Sequence, residues 1–206
     1  MNTDVAVHPK LQHYGLVTAD IDAMTEWYRE VLGMTINQRA KIPAIARIGH
    51  HGPPFCAFAF VSNDDMDHRI VFFEVPKVTV DPDRGKHVRL QHVAFECANL
   101  DDLLGTYVRL KALKIMPLWA ADHGVGTSIY YQDPDHNIVE INVNNFGTTW
   151  TATEYLRSAA GALPAQIDLE KMLAARKAGA SAWDLHQRAQ ADEFAPEKPL
   201  DPRESF

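Results

Sequence analysis

The chain has 206 residues, 46% of them hydrophobic, which is enough for one domain of ordinary size with a substantial core. Its formal net charge is −7, from 27 acidic and 20 basic residues, and this excludes the basic stripe of a nucleic-acid-binding protein. Small molecules are therefore the expected partner class.

Cysteine content and hydropathy indicate the compartment. Cys56 and Cys97 have neither the number nor the spacing of a disulfide framework or a CxxC metal motif, so both are predicted to be reduced. The first residues, MNTDVAVHPK, lack an apolar core of signal-peptide length, and no uncharged apolar run approaches the roughly 20 residues that span a bilayer. These features predict a cytoplasmic protein that does not enter a membrane.

An internal repeat organises the chain. Residues 11–32 align with residues 90–111 at a constant offset of 79 positions (90 minus 11). Leu, Gln, His and Tyr recur in register. A unit that occurs only twice favours a duplicated module over a solenoid. We therefore predict one domain over residues 8–146, built from modules at about 8–76 and 88–146.

Each copy begins with a strand and continues with a helix. In the second copy Val93 and Phe95 alternate with His92, Ala94 and Glu96, the period of two that is typical of a strand, so the histidine faces away from the apolar side. In both copies a capping residue, Asp20 or Asn99, is followed by apolar residues with a period of 3.6, which predicts a helix. Gly33 is predicted to end the first helix.

Three strands follow each helix. They are predicted at 34–40, 55–61 and 68–75 in the first copy, and at 115–118, 127–132 and 137–143 in the second. A βαβββ order used twice predicts an α+β fold with two curved sheets, each covered by a helix on its outer face. The polar sides of the strands, with both histidines, would line an inner concavity.

Residues 147–206 break the repeat and predict a C-terminal helical extension rather than a second domain. Helices are expected at 169–177 and 182–191, and the Pro-containing, charged end EFAPEKPLDPRESF is expected to fray. The segment also contains large apolar residues, among them Leu169, Met172 and Trp183. These should pack on a sheet or on a second subunit.

Two histidines and one glutamate form a candidate metal site. His13 and His92 occupy equivalent positions of the repeat, and Glu140 lies on the inner face of the strand NIVEINV. A carboxylate on a core strand is costly unless a positive group meets it. Two imidazoles and one carboxylate are the set that binds non-haem Fe(II) on one face. Each histidine alone could instead be an ordinary hydrogen-bonded residue; together they predict one divalent metal ion.

Three segments resemble the vicinal oxygen chelate superfamily, which includes glyoxalases, bleomycin-resistance proteins and extradiol dioxygenases. They are LQHYGLVTADIDAMTEWYREVLGM, LQHVAFECANLDDLL and SIYYQDPDHNIVEINV, and the similarity covers residues 11 to 146. The ending xDPDxNxxE is its most specific part. The family usually has Gly where this chain has His136, so that turn is expected to be strained or differently built.

Within the superfamily the chain is most similar to ring-cleaving extradiol dioxygenases, because His68, His123 and Tyr130 match their pattern. The resemblance implies an Fe(II) enzyme, with Mn(II) as a possible replacement, that cleaves a small aromatic diol of the catechol type with O₂. His68 would steady and protonate the oxygen intermediate, and His123 and Tyr130 would hydrogen-bond the substrate oxygens. The loop from His123 to Tyr130 is about two residues shorter than in larger relatives. A homo-oligomer is expected.

Glu74 leaves two other functions open. Glyoxalase-type members place a fourth ligand near the end of this strand, which would give a four-ligand site (His13, Glu74, His92, Glu140) in a metal-dependent lyase, isomerase or epimerase. His68 and Glu74 are six residues apart, on one face of an extended strand and roughly 20 Å from each other, so only one of them can belong to the site. A non-catalytic binding module would use the same cavity without chemistry.

Overall fold

The computed structural model describes residues 8–47, 52–158 and 163–201. The chain divides into two compact units, Met1–Val80 and Asp81–Phe206. Among the residues that the structure describes, no helix is both long and apolar enough to cross a membrane. Cys56 and Cys97 are both free thiols, as predicted.

The first unit has one helix and four strands. In chain order they are β1 (Tyr14–Thr18), α1 (Ile21–Leu32), β2 (Thr35–Lys41), β3 (Ala57–Ser62) and β4 (Ile70–Glu74). The strands form sheet 1 in the order β1-β4-β3-β2. Strand β1 is parallel to β4, whereas the other pairs are antiparallel.

Helix α1 begins and ends at the residues that the sequence indicates. The Asp20 carboxylate accepts hydrogen bonds from the amides of Asp22 and Ala23, and Gly33 closes the helix in the left-handed conformation at φ 68°. The helix buries its apolar stripe on one side of sheet 1, where the ring of Tyr28 contacts that of Phe72. The opposite side of sheet 1 is its open face.

The second unit repeats this order and then extends it. Its repeat comprises β5 (His92–Glu96), α2 (Leu100–Ala112), β6 (Trp119–Asp122), β7 (Gly126–Gln132) and β8 (Ile138–Asn144). The C-terminal extension adds α3 (Thr149–Ser158), β9 (Ala165–Gln166), α4 (Leu169–Lys177) and α5 (Ala182–Gln190). Sheet 2 has the order β5-β8-β7-β6-β9, with β5 parallel to β8. Two βαβββ modules of an α+β fold, followed by helices, are therefore confirmed.

Several strand boundaries differ from the sequence prediction by one or more residues, and those of β6 and β4 bear on the candidate site. The strand expected at 115–118 lies at Trp119–Asp122, because α2 ends in a turn with Lys114 at positive φ and the chain joins β7 only afterwards. Strand β4 begins at Ile70 rather than His68, since Ile70 is the first residue that pairs with both neighbouring strands.

The C-terminal extension is more ordered than its sequence suggests. The predicted helices are present, but α3 and β9 were not expected, and β9 adds an edge strand to β6. Phe194 is buried, and Gln166 and Leu200 exchange two hydrogen bonds. The fraying expected of the end is therefore wrong as far as residue 201, while residues 202–206 lie outside the described part. Met172 and Leu185 are buried within this unit, although Trp150 and Trp183 remain exposed.

The turn before β8 places a residue with a side chain in the left-handed backbone conformation. His136 has φ 65°, in the left-handed region, and its amide donates to the carbonyl of Asp133. The Asp133 carboxylate also accepts hydrogen bonds from the amides of Asp135 and Asn137. The turn is thus tightly bonded, and a side chain stands where glycine would carry no steric cost.

Replacing His136 with glycine should therefore stabilise the protein. The left-handed conformation costs a residue with a side chain about 1–2 kcal/mol, and the extra freedom of glycine in the unfolded chain takes back about 0.4–1 kcal/mol. We expect His136→Gly to raise the free energy of unfolding by about 0.5–1 kcal/mol, measured by urea denaturation. The matched control is Gly33→Ala, because Gly33 has φ 68° and the added Cβ would meet open space. This substitution should lower the free energy of unfolding. Equal stability of all three proteins would contradict the strain.

Candidate active site

Parallel pairing brings His92 and Glu140 together on the open face of sheet 2. The register of β5 against β8 sets His92 beside Ile138 and Ala94 beside Glu140. Strand alternation then directs the side chains of His92 and Glu140 to the same face. The Nε2 atom of His92 lies 2.9 Å from the Oε2 atom of Glu140.

The two Glu140 oxygens have different surroundings. Glu140 is buried, and its Oε1 accepts hydrogen bonds from Ser128 Oγ at 2.7 Å and from Asn142 Nδ2 at 3.0 Å. Its Oε2 faces only His92 among these polar partners. One carboxylate oxygen is therefore saturated by neutral donors, while the negative charge is directed at an imidazole nitrogen.

The contact of the other His92 nitrogen, Nδ1, indicates which species can lie between His92 Nε2 and Glu140 Oε2. His92 Nδ1 contacts the side-chain amide oxygen of Gln91, which can only accept, so Nδ1 donates and Nε2 is left toward Glu140. A lone pair of Nε2 and one of Oε2 would repel at this distance, so a proton or a metal ion belongs between them. This donor pair fits a divalent cation, and the contact of Gln91 fixes the ring as partners of metal-bound histidines do.

Tyr130 and His123 form a hydrogen-bonded pair beside this carboxylate. Tyr130 pairs with Glu140 in the register of β7 and β8, and its hydroxyl lies 2.9 Å from His123 Nε2. The indole of Trp119 stacks on the Tyr130 ring with centroids 4.5 Å apart. Burial, followed by the charge of Glu140, raises the pKa of Tyr130, whereas burial lowers the pKa of His123. At neutral pH the phenol therefore donates and the imidazole accepts.

These residues line one cavity of about 490 Å³ on the second unit. His92, His123, Tyr130 and Glu140 form part of its wall, and the polar residues Glu96, Ser128, Asn142 and Asn144 form another part. Four of the six residues that the sequence singles out therefore share one cavity. Its volume is that of an ordinary small-molecule site.

His13 and His68 lie together in the first unit. Their ring centroids are 4.3 Å apart, and His13 immediately precedes β1. Gln12 contacts His13 Nδ1 through its amide oxygen and donates to Asp67 Oδ1, while the other Asp67 oxygen lies 2.6 Å from His68 Nδ1. His68 Nε2 is thus the ring nitrogen that does not contact Asp67. The ring of His68 also stacks on Phe60 at 4.5 Å.

Aromatic side chains cover the open face of sheet 1 next to His68. Ring contacts run from Phe60 to Phe58, from Phe58 to Phe55 and from Phe55 to Phe73. All four rings are half-buried, while Ala57 and Ala59, which alternate with Phe58 and Phe60, are buried on the side of α1. The polar lining expected of both sheets therefore holds for sheet 2 but is wrong for most of sheet 1.

Glu74 does not occupy the place of a fourth ligand. Glu140 pairs with Ala94, two residues after His92, and the matching pair in the first unit joins Gly15, two residues after His13, to Val71. The repeat equivalent of Glu140 is thus the apolar Val71. Glu74 pairs with Thr18, five residues from His13 and roughly 16 Å along the strand.

The expectation that His68 and Glu74 share a face is also wrong. His68 precedes β4 and stacks on Phe60 of the open face, whereas alternation along the strand puts Glu74 on the side of Ile70 and Phe72. The carboxylate of Glu74 accepts a hydrogen bond from Cys56 Sγ at 3.1 Å. This bond, with burial and the negative charge, raises the pKa of the Cys56 thiol.

Several functional contacts are absent from the sequence prediction. Gln12 and Gln91 contact the two repeat-matched histidines, and the recurrence of Gln in both copies was a signal that could have found them. No comparable signal marks Ser128 and Asn142. Within either unit, no three His, Cys, Asp or Glu side chains among the described residues cluster closely enough to hold a metal ion. The first unit holds His13 beside His68, and the second unit holds His92 beside Glu140.

Comparison with known proteins agrees with this fold. The family model of the Glyoxalase/Bleomycin resistance protein/Dioxygenase superfamily matches residues 10–141. A solved domain of that description from Frankia sp. EAN1pec has a TM-score of 0.52 at 18% identity, covering 67% of this chain and 93% of that chain. A Mn(II)-complexed fosfomycin resistance protein from Listeria monocytogenes also has a TM-score of 0.52, at 16% identity over 71% of this chain and 99% of that chain.

Two curated relatives are more similar in sequence. Biphenyl-2,3-diol 1,2-dioxygenase 3 of Rhodococcus globerulus is 35% identical over 74% of this chain and 72% of the relative. Biphenyl-2,3-diol 1,2-dioxygenase 2 of the same organism is 32% identical over 93% of this chain and 94% of the relative. The second similarity extends through most of the C-terminal extension. The chain belongs to the glyoxalase/bleomycin resistance protein/dioxygenase superfamily, and within it resembles the extradiol dioxygenases.

Proposed function

We propose that this protein is an extradiol dioxygenase that cleaves the ring of a catechol-type aromatic diol with Fe(II) and O₂. The observation that carries the proposal is the cavity of the second unit, where His92 and Glu140 adjoin the hydrogen-bonded pair of His123 and Tyr130. The relatives named as biphenyl-2,3-diol dioxygenases make a catechol with a second aromatic ring the first substrate to test.

His13, His92 and Glu140 would hold the metal ion. Glu140 supplies the only negative charge of the set, and its Ser128 and Asn142 contacts keep one oxygen occupied while the other remains available. Gln12 and Gln91 engage the Nδ1 atoms, so the Nε2 atoms are the ligands. Fe(II), or Mn(II) in its place, would supply open coordination positions for the diol and O₂ and a path for electrons.

The residues around the ligands bind the diol and move its protons. The Tyr130 hydroxyl and His123 Nε2 would exchange their mutual hydrogen bond for bonds to substrate oxygens, with the phenol as donor and the imidazole as acceptor. His68, oriented by Asp67, is the proton donor on the side of His13. The aromatic rings beside His68 form an apolar surface that suits an aromatic ring.

The main rival is a four-ligand lyase or isomerase that uses Glu74. Matched Glu→Gln substitutions separate the two, because each removes one negative charge with little change of size. We expect Glu140→Gln to abolish metal retention after dialysis, measured by elemental analysis, because it removes the only anionic ligand. Glu74→Gln should retain the metal, and alkylation of Cys56 should become faster because the thiol pKa falls toward its usual value. Metal loss on Glu74→Gln with retention on Glu140→Gln would favour the rival.

His68 gives a kinetic test of the dioxygenase. We expect His68→Gln to retain iron and diol binding while slowing ring cleavage by about 10² to 10⁴, the usual effect of removing a positioned acid or base. The control is His87→Gln, because His87 Nδ1 contacts Asp81 at the same 2.6 Å in an exposed turn. It should keep full turnover in an oxygen-uptake assay with biphenyl-2,3-diol. Normal turnover of His68→Gln would remove His68 from the mechanism.

A further inference from the structure

The most densely bonded carboxylate of the second unit lies behind the cavity, next in sequence to His123. Asp122 is fully buried at 0% exposure, a costly place for a charge unless donors surround it. Its Oδ1 accepts from Gly124 N at 2.7 Å and Gln190 Nε2 at 2.8 Å. Its Oδ2 accepts from His186 Nδ1 at 2.8 Å, and from Thr127 Oγ1 and Asn145 Nδ2 at 3.2 and 3.1 Å.

Two of these donors belong to α5, the last helix of the extension. His186 and Gln190 are one helical turn apart, so both face the same carboxylate. His186 is itself buried, and Gln190 also donates to the backbone carbonyl of Asp122 at 3.2 Å. The helix therefore holds the backbone of Asp122 as well as its side chain.

The turn after Asp122 is tight and is covered by a second helix. His123 N donates to Gly126 O at 2.8 Å, and Gly124 has φ +79°. A Cβ on Gly124 would lie 2.1 Å from the hydroxyl oxygen of Tyr155, which belongs to α3. Strand β9 pairs with β6 at Asp122 on the other side. Three elements of the extension thus contact the turn that carries His123.

We propose that the C-terminal extension positions His123 for the reaction, with His186 and Gln190 as positioning residues that act through Asp122. The inference rests on the proposed dioxygenase function. Strand alternation sends Asp122 and Thr127 to the side of sheet 2 opposite the cavity, whereas the next side chain, His123, meets Tyr130 on the cavity side. Because Asp122 and His123 are consecutive residues, a displacement of Asp122 also moves the His123 ring relative to Tyr130.

The test removes the His186 donor to Asp122. It compares this change with the truncation of another buried residue of the extension that does not contact Asp122. His186→Leu deletes the donor to Asp122, His186→Asn restores an N–H donor near the position of Nδ1, and Met172→Ala opens a cavity in α4 without touching Asp122. The protein is labelled with ¹⁵N-histidine, and the His123 ring signals are assigned with His123→Gln. The spectra are recorded without metal, so they do not depend on catalysis.

We expect His186→Leu to shift the His123 ring signals and, in the iron-loaded enzyme, to lower kcat for biphenyl-2,3-diol by about 10- to 100-fold, the effect of misplacing a reacting group by about 1 Å. KM and metal affinity should stay within about two-fold. His186→Asn should recover most of the rate, and Met172→Ala should lower the melting temperature while the ring signals and kcat per folded molecule stay unchanged.

Unchanged ring signals and kcat in His186→Leu, with a lower melting temperature alone, would overturn the proposal and leave the cluster a purely structural role. If His186→Leu does not fold, Gln190→Ala takes its place, and shifted or unshifted His123 signals then decide in the same way. A wild-type enzyme that consumes no oxygen with any diol would refute the proposed function, whereas the ring signals would still report whether α5 positions His123.

Discussion

The buried carboxylate of Glu140 is the constraint on which the rest of the candidate site depends. It lies on the cavity side of a central strand, where an unpaired charge would cost several kcal/mol. Ser128 and Asn142 are neutral donors that fill one oxygen without cancelling the charge. The charge raises the pKa of Tyr130 and opposes the effect of burial on the pKa of His123.

The register of one strand pair determines where this carboxylate lies. In the parallel pairing of β5 with β8, Glu140 lies opposite Ala94, two residues after His92. The side chains of His92 and Glu140 therefore share a face. The first unit uses the same pairing of β1 with β4, but Val71 stands where Glu140 would be. A slip of one residue in either pair would turn these side chains to the helix-covered side. Since both copies have the same register, the residue at this position decides which of them carries a carboxylate there.

Much of this could be predicted from the sequence. The repeat gave the βαβββ order and matched His13 with His92, while strand alternation put His92 and Glu140 on one face. The face of Glu74 could not be predicted, because it depends on β4 beginning at Ile70 rather than His68. That start is fixed by pairing with the preceding strand β3 and with β1, which is distant in sequence. Local composition carries no such information.

The anchoring of the extension could not be predicted for a related reason. Asp122 and His186 are separated by 64 positions, and each is an ordinary polar residue in its own segment. Only the tertiary structure shows that α5 covers the back of β6. The strand β9 was missed because two residues, Ala165 and Gln166, pair only with an edge that the rest of sheet 2 provides. A segment that forms a strand only by pairing with an existing sheet edge has little hydrophobic periodicity in its own sequence.

The duplicated units have diverged into different chemical surfaces on the same scaffold. On the open face of sheet 1 the aromatic rings beside His68 leave His13 and His68 as the polar groups in contact with that row. On the open face of sheet 2 the positions around His92 carry two carboxylates, two amides, a phenol and an imidazole. Divergence after duplication has therefore changed the side chains of the two open faces, while the parallel register of β1 with β4 and of β5 with β8 has stayed the same.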